Sequence, residues 1–172
     1  MSQLELIVRG ATPADLAALA TELAPLPLLV RYGHTAERLR TSWQRALERG
    51  DSIVVGEQSG RLAGLAWFST EGTLGVGGYL RLLAVVPTVH GQGVGAQLLA
   101  AFETPTFARC AHAFLLVSDF NKGAQRFYAR YGYREVGRLP GLVLPDVDEV
   151  IYWKRRAGTS LQRADDELHR YA

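Results

Sequence analysis

The chain has 172 residues, 48% apolar and 21% charged, with 18 Gly, 7 Pro and no low-complexity tract. That composition suits one folded domain and excludes disordered, collagen-like and disulfide-stapled classes. Nineteen Lys and Arg against 17 Asp and Glu leave a formal charge of +2, too little to argue for duplex DNA or an anionic bilayer, so any anion site must be local. Cys110 is the only cysteine, which rules out an intrachain disulfide and, with four scattered histidines, argues against a zinc cluster.

Glu5 stands where a secretory leader would need an apolar block, and no run approaches the roughly 20 apolar residues of a membrane span. A cytoplasmic protein with no membrane or nucleic-acid partner is expected. Leu4 to Val8 reads as a first strand. Thr12, Pro13 and Asp15 then supply a helix N-cap, a first-turn proline and a capping-box acid. Leu16, Leu19, Ala20 and Leu23 give that helix one buried face, and Pro25 and Pro27 end it. A second helix starts near Thr35, carries Leu39, Trp43, Ala46 and Leu47 on one stripe, and stops at Gly50.

Past Gly50 the period changes. Ser52 to Gln58 and Arg61 to Thr70 predict a hairpin through Ser59 and Gly60; Gly72 to Gly78 reads as the next turn, before a run from Tyr79 to Val86. After Pro87 the pattern is helical, with Val94, Leu98, Ala101 and Phe102 on one face, and Ala113 to Val117 is another strand, which implies a parallel crossover. Asn121 caps a fourth helix with Ala124, Phe127, Tyr128 and Tyr131 as its stripe and Gly132 as its stop. Gly141 to Leu144 and Glu149 to Lys154 read as the last strands. No repeat or linker divides residues 1–157; residues 158–172 form a polar tail whose Leu161 and Leu168 fit a docked helix, a dimer contact or a frayed end.

The segment richest in chemistry runs from Leu80 through Pro87 to Thr88-Val89-His90-Gly91-Gln92-Gly93-Val94-Gly95-Ala96 and into a helix. Glycines at 91, 93 and 95 leave backbone N–H groups uncovered where a helix begins, the makings of a phosphate cradle; the plainer reading is a tight turn or close helix packing. No P-loop motif is present. Gly91, Gly93 and Ala96 satisfy the dinucleotide pattern G-x-G-x-x-A, and Asp119 lies where a ribose-binding acid would sit. Against it, Pro87 to His90 separate the glycines from their strand and only 53 residues follow Asp119.

Leu83, Ala84, Val85 and Pro87 match L-A-V-x-P, and Gly93 and Gly95 match the glycines that follow it. A second signature follows as Asn121-Lys122-Gly123-Ala124-Gln125-Arg126-Phe127-Tyr128 and Tyr131-Gly132-Tyr133. On these residues the chain resembles the GNAT family of acyl-CoA-dependent N-acyltransferases, densely from Tyr79 to Gly137 and more loosely over Leu4 to Arg155. His90 departs from the family's usual Arg or Gln.

The resemblance implies an α/β fold with a mixed, mostly antiparallel sheet, helices on both faces and a central V-shaped split. It implies acetyl-CoA as co-substrate and no metal. The pantetheine would lie along Leu83, Ala84 and Val85, and the pyrophosphate beside His90 on the amides of Gly91, Gln92, Gly93, Val94, Gly95 and Ala96. Asn121, Ala124 and Phe127 would border the pantetheine, with Tyr128 facing the thioester sulfur as general acid. Asn121 and Tyr128 are seven apart, two helical turns, so they can border one groove. A tyrosine near pKa 10 does not fully protonate a thiolate whose acid is near 8.5, so stabilisation of the departing sulfur is favoured unless the site lowers the phenol.

Relatives often carry a glutamate on the strand before the loop; here Tyr79 takes that place and Gly77 to Val86 holds no carboxylate. Glu149, Asp146, Asp148, Glu71 and Asp119 are the alternative bases, although 146, 148 and 149 read more plainly as a solvated loop. Pro25 to Thr35, with Arg31, Tyr32 and His34, lies where relatives cover the acceptor, and Trp67, Phe68, Tyr79 and Trp153 are candidate walls or ordinary core. Cys110 reads as packing. Lys122, Arg126, Arg130 and Arg134 form a basic stripe that could meet the 3′-phosphate or simply face water. The expected reaction is transfer of an acetyl group to a primary amine on a small molecule or peptide, with a homodimer as a family expectation. The alternatives are a non-catalytic acyl-CoA-binding regulatory domain and a dinucleotide-binding oxidoreductase.

Overall fold

The computed structural model describes residues 6–158. The expectations resting on Leu4 and Glu5, and on Leu161 and Leu168 of the tail, lie outside the described residues. The chain divides into two compact units, Met1–Ser69 with Leu80–Thr104, and Thr70–Tyr79 with Pro105–Ala172.

In the first unit, β1 (Leu6–Gly10) and β2 (Ser52–Gln58) pair antiparallel, and β2 pairs antiparallel with β3 (Arg61–Thr73). Ser59 and Gly60 turn that hairpin with φ of 52° and 73°, the left-handed pair that matches strand twist. Strand β4 (Gly77–Val85) follows β3 in the strand order. A Cβ at Gly64 of β3 would lie 2.4 Å from the Ala84 carbonyl oxygen, so only glycine permits that approach.

Three helices cover one face of these strands: α1 (Pro13–Leu23), α2 (Pro27–Arg31) and α3 (Ala36–Glu48). Leu16, Leu19, Leu23, Leu29, Leu39 and Trp43 form one core with Ile53, Val55, Leu65, Ala84 and Val86. Burial of such side chains contributes about 1.5–3 kcal/mol each. Thr12 and Asp15 make the expected capping box. Asp15 also holds Arg9 of β1 at 2.7 Å, and Arg9 reaches Glu57 of β2 at 3.0 Å, so one guanidinium ties the helix start to two strands. Helix α4 (Val94–Arg109) lies on the opposite face, where Leu98 meets Gly64 and Phe102 meets Phe68.

In the second unit, β5 (His112–Ser118) pairs antiparallel with β7 (Glu149–Arg155), which pairs antiparallel with β6 (Arg134–Leu139). The first residues of β4 lie beside β5: a Cβ at Gly77 would fall 2.6 Å from the His112 carbonyl oxygen. Helix α5 (Lys122–Arg130) follows β5.

Several expectations need correction. Pro27 does not end a helix; it occupies the first turn of α2, where its missing N–H costs nothing. The turn read over Gly72 to Gly78 is shorter, because β3 runs to Thr73 and β4 starts at Gly77, leaving Leu74 and Gly75 left-handed at the bend. Gly141 to Leu144 is not a strand. Gly141 has φ of 59°, Val147 donates to the Leu144 carbonyl, and Leu142 and Val143 are more than half exposed. The strand in that region is β6, which begins at Arg134, so Arg134 does not belong to the helical basic stripe with Lys122, Arg126 and Arg130.

Candidate functional site

The glycine loop lies in the first unit. Strand β4 ends at Val85, a single 3-10 turn covers Pro87 to Val89, and α4 begins at Val94. Gly91 and Gly93 have φ of 80° and 82°, and a Cβ built at either meets nothing within 4 Å. Their requirement is therefore conformational, and the space above the loop is open. The Gln92 amide donates to Val89, and those of Ala96 and Gln97 donate back to Gly93. The amides of Val94 and Gly95, in the first turn of a 16-residue helix, have no intrahelical acceptor by helix geometry and sit at its positive end. Open space above amides of this kind fits a diphosphate.

His90 turns back on β4, its Nε2–H donating to the Val85 carbonyl at 2.9 Å. That bond ties the His90 side chain to the strand's end. Leu83 and Val85 are half-buried, whereas Ala84 is in the core, so β4 can offer a ligand only its main chain at 84.

In the second unit Asn121 caps α5, its Oδ1 accepting from the Ala124 amide at 3.1 Å. Its side-chain NH2 is left as a donor at the helix start. Gln125, which the sequence reading passed over, donates from Nε2 to the carbonyls of Ser118 and Asp119 at 3.2 and 3.0 Å and fastens α5 to the end of β5. A Gln one turn after a capping Asn is the signal that could have revealed it. Tyr128 is 8% exposed, edge-on to Phe127 and Tyr133. Burial pushes its phenol above the ordinary tyrosine value, so it stays a neutral donor. Phe127 is half-buried against Tyr131.

The carboxylates separate clearly. Glu149 is not in a solvated loop: it opens β7, is 5% exposed, and stands opposite Ser118, also 5% exposed. Asp146 is exposed, Asp148 and Asp119 are half-buried, and Glu71 pairs with Arg109 at 3.6 Å. Trp67 and Phe68 point to opposite faces of β3, Phe68 against Phe102 and Trp67 with its indole N–H on Asp51, so they do not share a wall. Trp153 donates to His112 Nδ1 at 3.0 Å and carries Arg134 over its ring. Arg31 and His34 are exposed; partial desolvation of the imidazole and the Arg38 charge lower the His34 pKa. Lys122, Arg126 and Arg130 are exposed, and Cys110 is a half-buried thiol. Among the described residues no group of three His, Cys, Asp or Glu could hold a metal ion, and no helix is long and apolar enough to cross a membrane.

Comparison with known proteins bears on this layout. The sequence profile of the Acetyltransferase (GNAT) family matches residues 17–133. An uncharacterized N-acetyltransferase of Methanocaldococcus jannaschii is 33% identical over 106 residues, 60% of this chain and 66% of that protein. An acetyltransferase of Agrobacterium fabrum is 30% identical over 112 residues, 64% of this chain and 70% of that protein. Among solved structures, yncA of Salmonella typhimurium, determined with its cofactor acetyl-CoA, superimposes with a TM-score of 0.66 at 17% identity, over 91% of this chain and 98% of that one. The mixed sheet, mostly antiparallel, and its helices are those of GNAT structures, and the chain belongs to the Acetyltransferase (GNAT) family.

Proposed function

We propose that the protein transfers an acetyl group from acetyl-CoA to a primary amine by direct attack in a ternary complex. The observation that carries this reading is the open loop from Gly91 to Gly95, where left-handed Gly91 and Gly93 set main-chain donors at the start of α4, one 3-10 turn after β4. In a GNAT chain, that loop is where a diphosphate is bound. Acetyl-CoA, when bound, supplies an activated thioester.

Within the loop from Gly91 to Ala96, the amides of Val94 and Gly95 would hold the pyrophosphate, those of Gln92 and Ala96 being bonded to Val89 and Gly93, and the β4 main chain at Leu83 to Val85 would pair with the pantetheine amides. Asn121 contributes its remaining side-chain donor, with Ala124 and Phe127 lining the same arm. Tyr128 donates a hydrogen bond to the sulfur as the C–S bond breaks. With its phenol pushed above the ordinary value, it stabilises the developing thiolate more than it protonates it. Alkyl amines near pKa 10 are mostly protonated at neutral pH, so the acceptor's ammonium first gives up a proton to a base or a water chain; the nitrogen then attacks the carbonyl carbon, the C–S bond breaks, and the second proton leaves the nitrogen as the thiolate departs as free thiol. Residues 1–157 would form the catalytic domain, and a cytoplasmic setting fits the single thiol.

A calorimetric titration with acetyl-CoA, followed by free-thiol release against pooled amines, tests the reading. Heat of binding and amine-dependent thiol release are expected; no binding overturns it. Binding without release from any amine would favour a non-catalytic acyl-CoA-binding domain, a reading motivated by the absence of a carboxylate on β4.

A further inference from the structure

In the second unit, the end of the sheet away from Asn121 carries basic side chains that none of these roles absorbs. Strand β7 sets Trp153 and Arg155 on one face of the sheet, and Lys154 between them on the other, its ammonium over the rings of Phe107 and Tyr133. Register adds His112 of β5 opposite Arg155, and Arg134 of β6 opposite Trp153, on that first face. The Trp153 indole N–H donates to His112 Nδ1 at 3.0 Å, and the Arg134 guanidinium lies 5.2 Å from the centroid of the indole ring. Arg134 and Arg155 are thus diagonal neighbours, about 7–8 Å apart. Among the described residues neither forms an ion pair with a carboxylate. Arg155 is half-buried, and its Nε is buried with no hydrogen-bond partner. A sequestered guanidinium without an acid is uncommon, and a buried donor that meets no acceptor is destabilising.

We propose that this face binds a phosphate monoester at a site separate from the acetyl-CoA machinery. Charge selects the ligand: two guanidiniums with no acid beside them match a group that carries close to two negative charges at pH 7, whereas a carboxylate answers only one. Donor number selects it further. Three terminal oxygens let one phosphoryl group accept from both guanidiniums, the buried Arg155 Nε–H included, and such charge-assisted bonds are the strong ones. Position separates this ligand from the co-substrate. The Tyr128 ring packs on Tyr133, whose ring faces Lys154, so the phenol belongs to the Lys154 side of the sheet and the two arginines to the other. Asn121 and Gln125 gather at Ser118, six residues and about 20 Å along β5 from His112. The ligand is therefore a phosphorylated compound other than acetyl-CoA, and the site needs no transferase activity to exist. Trp153 and His112 are positioning residues, their mutual bond fixing the indole that Arg134 overlies.

The test is calorimetry and thermal melting of the full chain at fixed ionic strength, with glycerol 3-phosphate, inorganic phosphate, acetate and glycerol as probes. The wild type should bind both phosphates saturably, one per chain, with a rise in Tm; acetate should bind at least about tenfold more weakly and glycerol not at all. In Arg155→Met the Kd for glycerol 3-phosphate should rise about 10–100-fold, and in Arg134→Gln about tenfold. Without phosphate, Arg155→Met should melt no lower than the wild type, because it removes the orphaned donor and keeps the apolar stem; an arginine with a structural role would lower Tm instead. Acetyl-CoA affinity should not change in either variant. To separate this site from the glycine loop, glycerol 3-phosphate binding should persist in Gly93→Val and under saturating acetyl-CoA. No saturable binding in the wild type, acetate bound as tightly as phosphate, an affinity that neither arginine variant changes, or loss in Gly93→Val would overturn the proposal. Should Arg155→Met fail to fold, Arg134→Gln decides by the same tenfold loss.

Discussion

The loop before α4 and the start of α5, one in each compact unit, are built by different means. The loop works through its main chain: Gly91 and Gly93 are left-handed, and neither has a neighbour that a side chain would strike. Helix α5 works through side chains, with Asn121 at the cap, Gln125 fastening the helix to β5, and Tyr128 buried two turns on. A site made of amides is indifferent to side chains until one of them forbids its conformation. A site made of a phenol is sensitive to a single oxygen. Binding should thus be governed by the first region and turnover by the second.

The sharpest test of that division is Tyr128→Phe, expected to lower kcat about 10²–10³-fold while acetyl-CoA affinity stays within about threefold. Equal losses in both would place the phenol in binding and dissolve the contrast. Gly93→Val is the reciprocal change: a branched side chain at φ of 82° is strained by about 1–2 kcal/mol or more. Acetyl-CoA Kd should rise about 10–100-fold, with kcat at saturation nearly kept. Asn121→Ala removes a cap and should cost about 1 kcal/mol of stability, read as a lower Tm, with a several-fold rise in Kd. His90→Ala loses one hydrogen bond to Val85 and should move Kd by less than about fivefold.

Two titrations extend the contrast in opposite directions. Because the Tyr128 phenol is raised, the folded protein keeps its proton where the unfolded chain would lose it. Its contribution to stability is therefore full below about pH 10 and declines above, and no alkaline loss of kcat below about pH 10 should trace to this residue. Asp15 behaves oppositely. Its hydrogen bonds from Arg9 hold the carboxyl well below the usual range, so its contribution is in place above about pH 4 and is lost as the pH falls further. Urea midpoints of Asp15→Asn and wild type should accordingly converge in acid.

Most of the fold was legible from local signals. The Thr12–Asp15 box, the Ser59–Gly60 turn, the Asn121 cap and the stripes of α1 and α3 each specify their element within a few residues, and all four stand in the structure, whereas in the α5 stripe only Tyr128 is buried. What escaped lacked such signals. Strand β6 is Arg-Glu-Val-Gly-Arg-Leu, an edge strand almost wholly exposed, so no apolar alternation marks it. Gly141 to Leu144 shows the converse, an apolar run that stays outside the core. Helix α2 has five residues and opens on the proline that reads as a terminator. For the site, the glycine loop could be read because its chemistry is contiguous. The indole bond of Trp67 on Asp51 could not, since the two residues stand 16 apart in the chain and only the folded sheet brings them together.

The rim formed by β6 has an effect beyond this fold. It ends the strand order, and Val136 and Leu139 lie uncovered along it, a template on which a second molecule's backbone could zip. Arg134, Glu135 and Arg138 punctuate that rim, with Glu135 and Arg138 paired at 3.0 Å. Neutralising these three charges would invite edge-to-edge stacking, so the guard against it lies in the segment whose sequence looked least like a strand.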